Sequence, residues 1–314
     1  MSQQTWTFDA PSGVYKNHAM SEKIRYAAIS NAEFMQFARP ESGYGKKKGE
    51  SVTITRLSNL DDTVNGRILE GQPIPEDELS LSTVAITVSE FGRSVPFTSL
   101  SDDLSEFNME NMVQRKLRDQ MSVVLDTAAS VAYKQAKVKA IPDTAGSIVF
   151  DTDGTASTAA ASNVNVFHIE KIRDYMFSTL KVPMIDGNYI GIVSTLFKRG
   201  VMNDPKWEKF HEYGSPEMKF KGEIGRMEGI RFIESNNLNA LSQSLGTGGV
   251  LGEGVIFGED AVAMAISIDP ELRAKIPTDY GRSKGVAWYG VLDFGIVWDT
   301  ANSGEARIVH VTSS

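Results

Sequence analysis

Between Asn108 and Lys137 the chain contains neither glycine nor proline, and Met109, Met112, Val113, Leu117, Met121 and Val124 recur at steps of three and four. Leu125, Ala128, Ala129 and Ala132 continue the stripe. That period predicts one amphipathic helix, about 45 Å long at 1.5 Å per residue. Few globular helices reach this length, so the remainder of the fold must be built along it. The stripe is rich in Ala and Met and the opposite face carries mixed charge, which suits packing against a core better than lying on a membrane.

A second segment constrains the fold almost as strongly. Val52 and Ile54 alternate with Thr53 and Thr55, and Val84, Ile86 and Val88 alternate with Ala85, Thr87 and Ser89, so two strands are expected to pair as a hairpin. The connection from Leu57 to Leu81 is far too long for a tight turn. It carries Asp61, Asp62, Glu70, Glu76, Asp77 and Glu78 against the single cation Arg67. Loops of that length inside a compact domain are uncommon and tend to be functional. The apolar residues Ile68, Leu69, Ile74 and Leu79 sit beside Pro73 and Pro75, as in an arm reaching off the body. Aromatic residues scattered through a polar N-terminal stretch, from Trp6 and Phe8 to Phe34 and Phe37, read as a second arm, with Ser21 placed to cap a short helix.

The composition is that of a folded chain: 314 residues, 41% hydrophobic and 23% charged. A formal charge of −8 argues against a protein that neutralises phosphates across a basic face. The absence of cysteine excludes disulfides, thiol nucleophiles and zinc ribbons. The N-terminal residues lack the charge and apolar run of a secretory signal, and no window of about 18 residues is apolar enough to span a bilayer, so a cytoplasm-like compartment is expected.

Past the long helix, a short strand at Ile148–Phe150, a helix presenting Ile169, Ile172, Met176 and Leu180, and a strand Tyr189–Val193 leading into a helix are expected. The last third contains apolar runs at Ile230–Ile233, Val250–Phe257, Ala261–Ile268, Val286–Val291 and Ile296–Trp298. The fold class is α+β with one dominant helix.

Catalytic motifs do not survive inspection. Gly281-Arg-Ser283-Lys-Gly285 matches G-x-S-x-G, with Asp293, Asp299 and His310 after it, but a nucleophile elbow needs a strand before the serine and a helix after it. Here a turn precedes and a strand follows. The glycines from Gly246 to Gly254 do not satisfy G-x-G-x-x-G, and Gly43-Tyr-Gly45-Lys46 is not a Walker loop. His18, His168, His211 and His310 have no ligand spacing, and Asp151-Thr-Asp153-Gly154 lacks the later ligands of a calcium loop. Asp61-Asp62 and Asp102-Asp103 are neighbours in sequence and so do not face one another as an acid–base pair; one of the latter suits a helix N-terminus. Lys46 to Lys48 read as a solvated loop.

The order of several strings is informative together. Thr53-Ile-Thr-Arg56, the excursion with Leu69-Glu-Gly-Gln-Pro-Ile-Pro75, the run Thr83 to Gly92, Val95-Pro-Phe-Thr98 and Leu100-Ser-Asp-Asp103 resemble the major capsid proteins of tailed bacteriophages, most of all the N4-like group. Gly222 to Asn237 and Tyr280 to Gly290 extend the likeness, which covers about residues 24 to 300. The resemblance implies the Hong Kong 97-type capsid fold: an N-terminal arm, an extended E-loop hairpin, a long spine helix in a peripheral domain, and an axial domain. On this chain it implies an arm at 1–36, E-loop and peripheral strands at 37–100, a spine helix at 101–140, an axial domain at 141–266, peripheral return strands at 267–292 and final axial strands at 293–314. It further implies a structural, non-enzymatic protein of the virion, assembled in the host cytoplasm, with no cofactor and no metal. Its partners would be many copies of itself as pentamers and hexamers, with scaffolding, portal and decoration proteins, around double-stranded DNA held without sequence-specific binding. Arg67, Ile68, Leu69, Glu70, Ile74 and Leu79 are the expected contacts between subunits. A nanocompartment shell of the same fold is the alternative within shells, and a serine hydrolase using Ser283 the alternative outside them.

Overall fold

The computed structural model describes residues 30–41, 51–60, 67–68, 70–71, 73–74, 76–105, 107–207, 225–242, 252–298, 300–301 and 304–312. In chain order, β1 (Arg39–Glu41) is followed by the hairpin strands β2 (Ser51–Leu57) and β3 (Leu81–Thr87), then β4 (Ser89–Thr98) and a short helix, α1 (Ser99–Leu104). The long helix α2 (Met109–Lys134) leads to β5 (Val138–Thr144) and β6 (Ser147–Asp151). Next come α3 (Val166–Asp174), extended by a π-turn over Tyr175–Thr179, then β7 (Tyr189–Val193), α4 (Thr195–Met202), β8 (Arg226–Met227) and β9 (Ile230–Glu234). The chain closes with β10 (Gly254–Phe257), β11 (Val262–Ala274), β12 (Ser283–Ile296) and β13 (Ile308–Val311).

The helix expected from Asn108 to Lys137 is realised as 26 residues, about 39 Å. The spine expected over 101–140 is two helices, because two N-caps compete for the same stretch. Thr98 Oγ1 accepts from Ser101 N to start α1, and Asn108 Oδ1 accepts from Asn111 N at 2.9 Å to start α2. At the other end the Lys139 ammonium donates to the Lys134 carbonyl at 2.6 Å, and the chain is already turning into β5. The apolar run Val286–Val291 and the first residue of Ile296–Trp298 belong to one strand, β12, since the antiparallel ladder with β11 continues across Asp293 and Gly295.

Three sheets result. The seven-stranded sheet has the order β6-β5-β13-β10-β7-β9-β8, the four-stranded sheet the order β1-β11-β12-β4, and β2 and β3 form a sheet of their own. In the large sheet, strand alternation sends Tyr189, Val193, Ile256, Val309 and Val311 toward α3 and α4. Ile190, Ile192, Val255, Phe257 and Ile308 face α2, where Leu125, Ala129, Ala132 and Tyr133 close the layer. The first half of the same helix packs Val113 and Leu117 on Val286 and Trp288 of the four-stranded sheet. One rod thus supplies a face to both sheets, as its unbroken stripe requires.

The root of the N-terminal segment is part of this body. Phe34 is fully buried and meets Tyr133, ring centroids 5.5 Å apart, while a 3-10 turn over Met35–Phe37 leads into β1. Buried Asp126 of α2 accepts from the amides of Phe34 at 2.6 Å and Met35 at 3.3 Å. Burial pushes this carboxyl above its usual value, although the amide donors oppose the shift. Trp6, Phe8, Ser21 and the lysines at 46–48 lie outside the described residues.

Candidate assembly interface

β2 and β3 pair in register from Ser51 opposite Thr87 to Leu57 opposite Leu81. Because side chains alternate, the directly opposed Val52 and Ile86 both point to one face, and both are buried against Ala263, Ala265 and Val297. Gly295 makes the close approach possible: a Cβ there would lie 2.7 Å from Ile86 Cγ1. Arg56 pins the next turn of the ribbon, its Nε donating to Ser82 Oγ at 2.7 Å and its Nη1 to the Val297 carbonyl at 3.2 Å. Ser58 N to Ser80 O is a further backbone bond beyond the strands.

Beyond that point the character changes. Ile68, Ile74 and Leu79 are more than half exposed, Ile74 reaching 73%. Leu57 and Leu60, about half exposed, and Leu81, more so, were not among the sequence candidates; strand alternation places Leu57 and Leu81 on the uncovered face. Glu70, Glu76, Asp77 and Glu78 are exposed beside them. Arg67 is also exposed, and Leu69, Asp61 and Asp62 lie outside the described residues. Apolar side chains of this size each gain about 1–2 kcal/mol when the remaining exposed half is covered. The tip thus sets several exposed apolar side chains among acids, a kind of patch that soluble monomers seldom keep bare.

A model of the family described as phage capsid protein matches residues 81–304. The chain belongs to the phage capsid protein family. Its fold is that of solved phage shells. It is similar to the head protein of Helicobacter pylori bacteriophage KHP40, with 12% identity, 98% of this chain and 99% of that chain covered, and a TM-score of 0.69. For the capsid of Ralstonia phage GP4 the values are 14%, 99%, 97% and 0.67. For the mature capsid of bacteriophage PhiM1 they are 16%, 95%, 93% and 0.65. No curated protein matches the chain. At these identities the structures establish the Hong Kong 97-type fold, and the family match establishes the role: a structural, major capsid protein.

Several buried polar groups of the capsid protein are tied to one another. His310 on β13 is buried, its Nε2–H donating to Glu253 Oε1 at 2.6 Å, which leaves Nδ1 to accept from the Lys139 ammonium at 2.9 Å. Burial lowers the pKa of both His310 and Lys139. Burial by itself would raise that of Glu253, but bonds from His310 and Ser242 N bring it below the usual carboxylate value. These bonds tie the end of α2 to β5, to β13 and to the residue just before β10. His168 is likewise structural: its Nδ1 accepts from Asn165 N and its Nε2–H donates to the Thr144 carbonyl at 2.8 Å, closing a capping box on α3.

The hydrolase candidates are not brought together. Ser283 opens β12 and its Oγ accepts from Lys275 Nζ at 2.7 Å, whereas His310 is engaged in the other sheet. Asp293 accepts from Ser89 Oγ, and Asp299 lies outside the described residues. Asp102 stands in the first turn of α1 and pairs with Lys284 at 3.5 Å. Among the described residues no cluster of ligating side chains could hold a metal, and no helix is long and apolar enough to cross a membrane.

Proposed function

We propose that this capsid protein closes, as pentamers and hexamers of itself, into the icosahedral head that encloses the phage's double-stranded DNA, within the N4-like group. The observation that carries the reading is the hairpin, fixed to the body at its root by Val52, Ile86 and Arg56 and unsatisfied at its tip. Ile68, Ile74 and Leu79, with Leu69, are its apolar anchors on a neighbouring subunit. Glu70 and the adjacent acids aim it at basic surface there, while Arg67 supplies the one cation of the excursion.

The division into arm, E-loop, spine, axial and peripheral parts follows the same logic. Parts whose apolar residues are satisfied within the chain form the body, and the parts left over serve the neighbour. Each contact is modest, but closure by symmetry makes the loss of one subunit break several at once. The shell is assembled in the host cytoplasm with scaffolding, portal and decoration proteins as further partners. The chain's net charge of −8 suits a container that must not bind its packaged DNA tightly.

Deleting residues 62–78 tests this. The subunits should remain folded, with an unchanged far-ultraviolet spectrum, yet give no closed particles in negative-stain micrographs. Normal shells from the deletion would overturn the assignment of the tip. Particles filled with protein and free of nuclease-resistant DNA after infection would point to a nanocompartment instead.

A further inference from the structure

A carboxylate is sealed inside the body without a counter-ion. Asp126 of α2 is 0% exposed, and no cation pairs with it among the described residues. Buried charges are ordinarily paired or bound to metal, because an isolated charge is costly to take out of water. Asp126 holds backbone instead. Its Oδ1 accepts from the amides of Phe34 at 2.6 Å and Met35 at 3.3 Å, and its Oδ2 from the Asn237 side-chain amide at 3.4 Å. Asn237 also donates to Thr127 Oγ1 at 3.1 Å, and the Asn31 amide donates to Asn236 Oδ1 at 2.8 Å. The carboxylate thus lies where α2, the loop 235–241 and the N-terminal segment 30–38 meet.

Beyond these donors, nothing at the joint steadies a negative charge. The loop, Ser235-Asn-Asn-Leu-Asn-Ala-Leu241, has no titratable side chain. The strands that close this layer bring apolar side chains to it, Ile192, Phe257 and Leu292 among them. The titratable groups that interact with Asp126 are Glu33 of the segment and Tyr133 of α2, and both are acids. Burial, and then Asp126 itself, push the Glu33 carboxyl and the Tyr133 phenol above their ordinary values. A neutral side chain would have served as the acceptor for the segment's amides, as Asn108 and Asn165 do at the starts of α2 and α3. An aspartate makes the joint answer to protons.

We infer that the seating of residues 30–38 on α2 is a proton-controlled latch, in which Asp126 takes up a proton as the segment closes over it and the joint tightens in acid. Lifting the segment returns the carboxylate to water, where it ionises at about pH 4. Seated, it is pushed higher by burial, which outweighs the amide donors. The latch is therefore fully engaged below about pH 4 and loosens as pH rises through the seated value. The sign is opposite to that of His310, whose tie weakens in acid, so one pH change tightens one seam and loosens the other. The joint lies within one subunit and stands whether or not the capsid reading does.

Hydrogen exchange of the full-length protein, read by mass spectrometry, tests the latch. Protection of the Phe34 and Met35 amides, divided by that of the buried β7 amides to remove changes in global stability, should rise about twofold or more from about pH 8 to about pH 5. Asp126→Asn keeps an acceptor and removes the titration, so its ratio should stay flat. Glu33→Gln removes the neighbouring acid from a half-buried site, so its ratio should start higher than the wild type's at the alkaline end and rise less. A wild-type ratio that is constant or falls in acid overturns the inference, as does a rise in Asp126→Asn equal to the wild type's. Should Asp126→Asn fail to fold, Glu33→Gln decides alone, and a rise as large as the wild type's counts against the latch.

Discussion

The strands β2 and β7 are written in the same alphabet, Ser-Val-Thr-Ile-Thr-Arg-Leu against Tyr-Ile-Gly-Ile-Val, and meet opposite fates. Every residue of β7 is buried, because β10 and β9 flank it and helices cover both faces. Only Val52 of β2 is buried, because the ribbon has a single covered face and that cover ends near Val297. Both are strands rich in β-branched residues; the number of layers around them differs. The chain thus combines a body packed in layers with a hairpin covered only at its root.

The largest expected effect that would break this comparison lies at the body's own seam. Phe34→Ala removes a fully buried ring from against Tyr133 and should cost about 3–5 kcal/mol in urea unfolding of unassembled subunits. If it costs less than about 1 kcal/mol, the N-terminal root is an appendage like the hairpin and not part of the body.

A smaller effect comes from acid. Burial holds the folded pKa of His310 below the ordinary histidine value of about 6.5, so the unfolded chain takes up a proton that the folded ring refuses. Its contribution is fully present above about pH 6.5 and is lost as pH falls toward the lowered folded value, where Nδ1–H would confront Lys139. Glu253, held below the usual carboxylate value, adds a loss of the same sign at lower pH. His168 titrates in the same sense as His310. His310→Asn should therefore flatten, without abolishing, the fall in melting temperature as pH drops below about 6.5. An unchanged pH profile would show that this tie is not under strain. The smallest effect belongs to the tip, where Ile74→Ser should change subunit stability by less than about 0.5 kcal/mol while impairing assembly. A larger stability loss would mean that the tip folds back on its own chain.

How much of this was legible in the sequence varies by element. The stripe from Met109 to Ala132 announced α2 because a single apolar face at helical period has few other uses, and Val52, Ile54, Val84 and Ile86 announced the hairpin by their alternation. The acids and prolines between the strands marked the tip. By contrast, the break between α1 and α2 depended on which of Thr98, Ser105 and Asn108 would cap a helix, a competition decided by hydrogen bonds too local for periodicity to report. That Ser99 at the start of α1 would bond to Arg282 was illegible, because the two are far apart in the chain and meet only when β4 pairs with β12.

The amino-acid order alone determined that a long rod, a hairpin with an over-long acidic excursion and a chemistry without catalytic motifs belong together, since each is a local pattern of side-chain type and spacing. Only the tertiary structure decided that Asp126 would fasten Phe34 to the rod, that His310 would be sealed between Lys139 and Glu253, and which apolar residues would be left over. Burial is a property of what packs on top of a residue, and that is fixed by pairings distant in sequence.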